Sequence, residues 1–196
     1  MNSKFFICVL LLINREIECL NWFRQCQRPK TVENFNIDKI IGTWLIYSYS
    51  KGTPIDNFKC MKTIYKPTTQ PDAIISNSLA WSFYTKWLDY SVIQYNDYEN
   101  GTGILSTLNK NDRSIDLWNE NINYYIISTD YESYLIGYFC SYKYFGMASE
   151  HNYYVLTKTP SISDDLKSEI KIVLDRIVPL DFEMTHTDFN NCNNLS

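Results

Sequence analysis

Side chains able to do covalent or acid–base chemistry are few in this chain and scattered along it. Its two histidines, His151 and His186, are isolated, and no two of the cysteines Cys26, Cys60, Cys140 and Cys192 lie within metal-ligand spacing. No Gly-x-Ser-x-Gly elbow, His-Glu-x-x-His helix or glycine-rich phosphate loop occurs. The carboxylate pair Asp164-Asp165 reads as the start of a helix, where the positive end of the helix dipole favours it, and His186 reads as part of a C-terminal tail. These residue types point away from hydrolysis and from a metal centre. The chain reads as a non-enzyme.

Cysteines carry the next signal. Six are present, at positions 8, 19, 26, 60, 140 and 192. Met1 to Lys4 is a short segment with one positive charge, and Phe5 to Ile13 is an unbroken apolar run too short to span a bilayer. Residues 1–19 are therefore expected to be a secretory signal cut after Cys19, with 20–196 the mature domain. The competing reading is a buried first strand, favoured by the polar stretch Asn14 to Glu18. Cleavage leaves four cysteines, hence two disulfides in an exported chain, and three pairings are open. The sequons at Asn100 and Asn194 are candidate glycosylation sites that agree with secretion.

Composition excludes other roles. The 196 residues are 45% hydrophobic and 20% charged, with a net charge of -4 and no Lys/Arg block, which gives no footprint for nucleic acid or anionic lipid. No run of eighteen apolar residues calls for a membrane-spanning helix. Aromatic residues make up 16%, carried by 16 Tyr, 10 Phe and 5 Trp, a composition that suits strands.

Elements must then position these residues. Short aromatic and β-branched runs between turn signals predict strands over 43–50, 60–66, 73–80, 90–97, 104–108, 114–118, 124–129, 133–141 and 153–157. With 90–108 taken as one bent strand, eight remain, and without helices between them they suit an up-and-down barrel or a sandwich. Leu166, Ile170, Val173, Leu174 and Ile177 then recur at helical spacing between Pro160 and Pro179. They predict one amphipathic helix, capped by Ser161 or Ser163 and packed on the outside of the sheet.

One resemblance ties these pieces together. The segment Cys26-Gln27-Arg28-Pro29, followed by Asn34 to Trp44 with Gly42-Thr43-Trp44 at the first strand, resembles the first lipocalin motif. Thr129-Asp130-Tyr131 resembles the second, with Cys140 following as in the apolipoprotein D and insect bilin-binding branch. Lys158 stands where the family usually has an arginine. The motifs span residues 26–192. The resemblance implies an eight-stranded antiparallel up-and-down lipocalin barrel with one C-terminal α-helix packed outside. It also implies the pairings Cys26–Cys140 and Cys60–Cys192, and a closed-end cluster of Gly42, Trp44, Thr129, Asp130, Tyr131 and Lys158. In that cluster the Lys158 cation can lie over the Trp44 indole, and Asp130 accepts backbone N–H bonds in its turn.

Such a barrel holds one small ligand, with inward and outward side chains alternating. With Trp44 inward, Ile46 and Ser48 share its face. Tyr124, Ile126 and Ser128 line the cup if Asp130 lies at the closed end, and the opposite set does so otherwise. These five are the candidate ligand contacts, each equally readable as packed core. The mouth is expected at 52–58, 82–88, 119–123 and 142–151. The family resemblance implies a secreted carrier of a small hydrophobic molecule (lipid, steroid, retinoid or a non-covalent bilin-like pigment) with no required cofactor. Three rivals remain: a secreted interaction protein or inhibitor that engages a macromolecular partner through the mouth loops, an enzymatic lipocalin using Cys60 as a thiol, and an immunoglobulin-like sandwich with Trp81 between Cys60 and Cys140.

Overall fold

The structure is a computed structural model that describes residues 25–51, 56, 58–69, 73–82, 86–96, 101–106, 122–143 and 148–192. Its strands are β1 (Gly42–Ser50), β2 (Phe58–Pro67), β3 (Ala73–Ser82), β4 (Lys86–Asn96), β5 (Ile104–Ser106), β6 (Asn123–Thr129), β7 (Tyr134–Lys143) and β8 (Ala148–Thr157). A helix, α1 (Asp164–Ile177), and a short β9 (Met184–His186) follow. The sheet order is β2-β3-β4-β5-β6-β7-β8-β1, all neighbours antiparallel, and β1 also pairs with β2, which closes the ring. Full closure leaves these strands without a bare edge. This is the lipocalin fold that the motif order implies.

Two expectations need correction. The stretch 90–108 is not one bent strand: β4 and β5 pair antiparallel through Tyr95↔Ser106 and Asn96↔Leu105, which demands a reversal between them. The run 142–151 is not all mouth loop, because β7 extends to Lys143 and β8 starts at Ala148, which places His151 within a strand. The expected strand 114–118 and residues 1–24 lie outside the described residues, as do Asn100, Asn194 and most of the expected mouth loops.

An arm before β1 shuts one end. Val32 N–H donates to Ile126 O (2.9 Å), Gly103 N–H to Val32 O (3.2 Å) and Phe35 N–H to Gly101 O (3.1 Å), so residues 31–35 are stitched across the base. Phe35, Ile37, Ile40, Trp44, Ile74, Leu105, Ile126, Leu135 and Leu156 pack there into one buried cluster.

The helix lies where its stripe requires. Ser163 caps it, its Oγ accepting from Leu166 N–H, and Asp164 and Asp165 occupy the first turn. Ile170 is buried against Tyr134, Ile136 and Val155 on the outer face of β7 and β8. Beyond it, β9 adds to the open-end half of β1 through Ser48↔His186 and Ser50↔Met184. A tail with a strand of its own was not expected. Cys60 N–H donates to Asp188 O (3.1 Å), so this segment bridges β1 and β2 above the level where those strands pair directly.

Candidate functional site

At the closed end the three motifs meet. Gly42 has φ +118°, a conformation open to glycine and strained for other residues, and it delivers Trp44 into the base of the barrel. The indole is fully buried and its Nε1–H donates to Ile40 O at 2.7 Å. Lys158 Nζ lies 3.5 Å from the Trp44 ring centroid and donates to Thr43 O at 3.1 Å. Burial holds the Lys158 ammonium below the usual lysine range. One lysine thus supplies both a cation–π contact and a backbone tie.

The Thr129–Tyr134 turn is self-capped. Asp130 Oδ1 accepts from the backbone N–H of Glu132 (3.0 Å), Ser133 (2.8 Å) and Tyr134 (3.0 Å), and the Ser133 hydroxyl donates to Oδ2. Partial burial pushes the Asp130 carboxyl up, but these donors outweigh it and hold the group below its ordinary value. Thr129 Oγ1 accepts from Tyr131 N–H (2.9 Å). The Tyr131 hydroxyl accepts from Asn36 N–H (3.1 Å), and its ring stacks on Phe35. The cluster is a clasp between the arm and the barrel.

Both disulfides join the pairs that the resemblance implies, Cys26–Cys140 and Cys60–Cys192. The first ties the arm to β7 and the second ties the tail to β2. Cys60 is therefore no free thiol.

Above the base, the lumen is lined by inward side chains. Directly paired residues of neighbouring strands share a face, and the register gives Ile46 beside Leu156, Tyr49 beside Tyr154, and Tyr124 beside Phe139. Ile46, Tyr124 and Tyr154 are only half-buried although they point into the barrel and pack on its core. Side chains that face inward yet keep accessible surface line unfilled space. Tyr65, Tyr124 and Tyr154 stand near one another; burial, and then the neighbouring tyrosines, push the hydroxyls of Tyr65 and Tyr154 above the usual range, so they stay neutral donors. Thr63 and Ser78 hydroxyls pair at 3.2 Å.

The five expected ligand contacts divide. Ile46 and Tyr124 face the lumen. Ile126 faces inward too, but is fully buried in the base. Ser48 and Ser128 do not face inward. The β1 register shifts between Ile46 and Ser48, and the β6 register between Ile126 and Ser128. Each β-bulge inserts one residue and reverses the parity beyond it. Ser48 pairs beside outward Val155, and the Ser128 hydroxyl is 2.9 Å from that of Tyr134, which donates to Glu169 of α1 at 3.0 Å. Tyr49 takes the inward place expected for Ser48. Tyr49, Tyr65 and Tyr154 went unread as lining residues; Tyr154 was legible by extending β8 two-residue periodicity from Leu156.

His151 faces outward. Its Nδ1 is 2.8 Å from the Tyr138 hydroxyl and its Nε2 3.0 Å from the Ser149 hydroxyl, while Tyr138 also accepts from Gln27 N–H at 3.2 Å. That buried network anchors the arm beside Cys26–Cys140. A separate open groove of about 640 Å³ runs between α1 and the β1–β9 edge, lined by Tyr47, Ser48, Leu174, Val178 and Leu180 among others. Its Lys167 and Lys171 are already paired with Asp164 and Asp175. Among the described residues no three His, Cys, Asp or Glu side chains are grouped for a metal ion, and no helix is long and apolar enough to cross a membrane.

Residues 98–184 match the model of the Lipocalin / cytosolic fatty-acid binding protein family. No curated protein matches the chain. Among solved structures, insecticyanin from the tobacco hornworm Manduca sexta is similar at a TM-score of 0.65 and 17% identity, covering 85% of this chain and 87% of that one. Lobster apocrustacyanin A1 aligns at 0.57 and 16%, over 79% of each chain. A biogenic amine-binding protein aligns at 0.59 and 22%, over 79% of this chain and 82% of its own. At these identities the likeness is one of fold.

Proposed function

We propose that this chain is a secreted lipocalin that takes one small, largely apolar molecule into its barrel and carries it. The observation that supports the reading most is the tyrosine-rich lumen, where Ile46, Tyr124 and Tyr154 point inward and still keep accessible surface. A concave, mostly apolar space with a few polar atoms is the usual form of a small-molecule site. Ile46 and Tyr124 act as walls, with Ile126 beneath them in the floor. The clasp of Gly42, Trp44, Thr129, Asp130, Tyr131 and Lys158 keeps the base shut, and no step of chemistry is assigned to any residue. Two disulfides and the apolar run 5–13 favour secretion, with mature residues starting near 20 and glycans at Asn100 and Asn194. The pairing of the disulfides favours the apolipoprotein D and insect bilin-binding branch.

Purification of the secreted protein under native conditions, followed by an absorption spectrum and mass spectrometry of the retained molecule, tests this reading. A stoichiometric lipid, steroid, retinoid or visible pigment is the expected result. An empty barrel that binds no apolar probe, in a protein that copurifies in a stable complex, would replace this reading with that of an interaction protein acting through its mouth loops.

A further inference from the structure

Resting on that reading, the lumen also says what kind of molecule fits. Gln94 and Asn152 are buried, at 2% and 7% exposure. Gln94 pairs beside Ile74 of the base cluster, and Asn152 pairs beside Phe139, whose ring packs on Tyr124 and Tyr154. Both amides therefore lie on the inward face. Gln94 Oε1 and Asn152 Nδ2 have no hydrogen-bond partner, whereas the inward hydroxyls of Thr63 and Ser78 pair with each other. The interior thus pairs the Thr63 and Ser78 hydroxyls with each other and leaves one end of each of two buried amides unpaired, whereas buried polar atoms of a packed core find partners.

Their placement adds a geometry. In the closed ring, β4 and β8 are separated by three strands on either side, so the two amides stand on opposite walls. Gln94 lies at the level of the base, and Asn152 lies one inward position above Tyr154, toward the open end. Between them the described inward residues carry rings, alkyl groups and the hydroxyls of Thr63, Ser76 and Ser78, but no charge. A ligand that fills this space expels water from both amides, so it must replace those hydrogen bonds or leave two buried polar groups unpaired.

We propose that Gln94 and Asn152 select an elongated, uncharged, ring-containing ligand with a hydrogen-bond donor at its deep end and an acceptor toward the mouth. A phenol–ketone pattern fits both amides; a simple alkyl carboxylate can accept from Asn152 Nδ2–H but offers no donor to Gln94 Oε1.

A matched probe series tests this: biphenyl, 4-hydroxybiphenyl, 4-acetylbiphenyl and 4-acetyl-4′-hydroxybiphenyl, with dodecanoate as the charged control. Affinity is read by tryptophan-fluorescence quenching of the full mature protein. The doubly substituted probe should bind at least about tenfold more tightly than biphenyl, as one or two buried hydrogen bonds require. Gln94→Met should remove the phenol's advantage and Asn152→Leu the ketone's, with biphenyl affinity changed by less than about twofold in either. Wild-type protein decides the matter even where a variant does not fold. Equal affinity across the four biphenyls, preferences unaltered in both folded variants, or tighter binding of dodecanoate would overturn the proposal and leave the carrier reading standing. No binding of any probe would overturn both.

Discussion

Removing the bridge between Cys60 and Cys192 isolates what the tail contributes. The two cysteines are 132 residues apart, and loop-closure entropy for a circuit of that length is worth about 5 kcal/mol. Beside the bridge, the tail is held by the pairing of β9 with β1, by the backbone bonds from Lys51 N–H to Glu183 O, Thr187 N–H to Tyr47 O and Cys60 N–H to Asp188 O, by the Thr187 hydroxyl donating to Ile46 O, and by the exposed pairs Lys51–Glu183 and Lys59–Asp188. Each exposed pair adds about 0–1 kcal/mol. The double variant Cys60→Ser/Cys192→Ser should therefore melt roughly 10–20 °C lower, at about 2–4 °C per kcal/mol for a domain of this size. Hydrogen exchange should quicken first in 183–192, because the bridge anchors the end of that segment. Ligand affinity should hold, since neither sulfur lines the lumen. Calorimetry with exchange mass spectrometry reads both effects. A fall in Tm of less than about 3 °C with unaltered protection of 183–192 would refute the reasoning and show that β9 hydrogen bonds alone hold the tail.

Three further outcomes are expected. Trp44→Ala should cost about 3–5 kcal/mol by denaturant unfolding, because it empties the base; unaltered stability with lost ligand binding would make Trp44 a ligand contact instead. Asp130→Asn should lower Tm at neutral pH by a margin that shrinks on acidification. The folded carboxyl lies below its ordinary value, so its stabilisation is full above about pH 4 and is lost as pH falls through the lower folded pKa; a deficit constant with pH would locate the loss elsewhere. Gly137→Ala should weaken ligand binding more than it weakens the fold, because an added Cβ overlaps the Tyr154 ring and drives it into the lumen; binding assays beside melting curves compare the two.

How much of this was legible depended on whether a feature was local. The helix follows from spacing within a dozen or so residues, and of the two candidate caps, Ser161 and Ser163, the structure uses Ser163. The closed-end motifs were legible because each carries unusual chemistry in a short span, such as a tryptophan two residues after a glycine. The cysteines defined two bridges but not their partners; resemblance chose, and the chain's closure brings the chosen pairs together. Strand faces were legible only up to the first irregularity. Period-two alternation is a rule for regular pleats, and nothing in Ile46-Tyr47-Ser48 or Ile126-Ile127-Ser128 announces an inserted residue. Gln94 and Asn152 escaped for another reason: a lone amide in a strand reads as an exposed polar position, and only the closure of the sheet turns it inward.

The two bulges that defeat the alternation also connect the barrel to what surrounds it. In β1 the extra residue sends Tyr47 toward α1, its ring 5.0 Å from that of His186, while Tyr47 O accepts Thr187 N–H at 3.1 Å. In β6 it turns Ser128 outward to meet Tyr134, and through it Glu169 of the helix. A strictly regular pleat would place both serines in the lumen, and the tail would keep its ties to Lys51, Lys59 and Cys60. The irregular pleat puts both serines on the outer face, where the Ser128 hydroxyl joins the Tyr134–Glu169 bond to the helix and the Tyr47 carbonyl accepts from Thr187 of the tail. The lumen is left to rings, alkyl groups and a few polar atoms. Rigid attachment outside and sparse polarity inside therefore arise from the same two insertions. Deleting Tyr47 or Ile127 to restore the pleat should consequently loosen α1 and β9 and make the lumen more polar, both in one step.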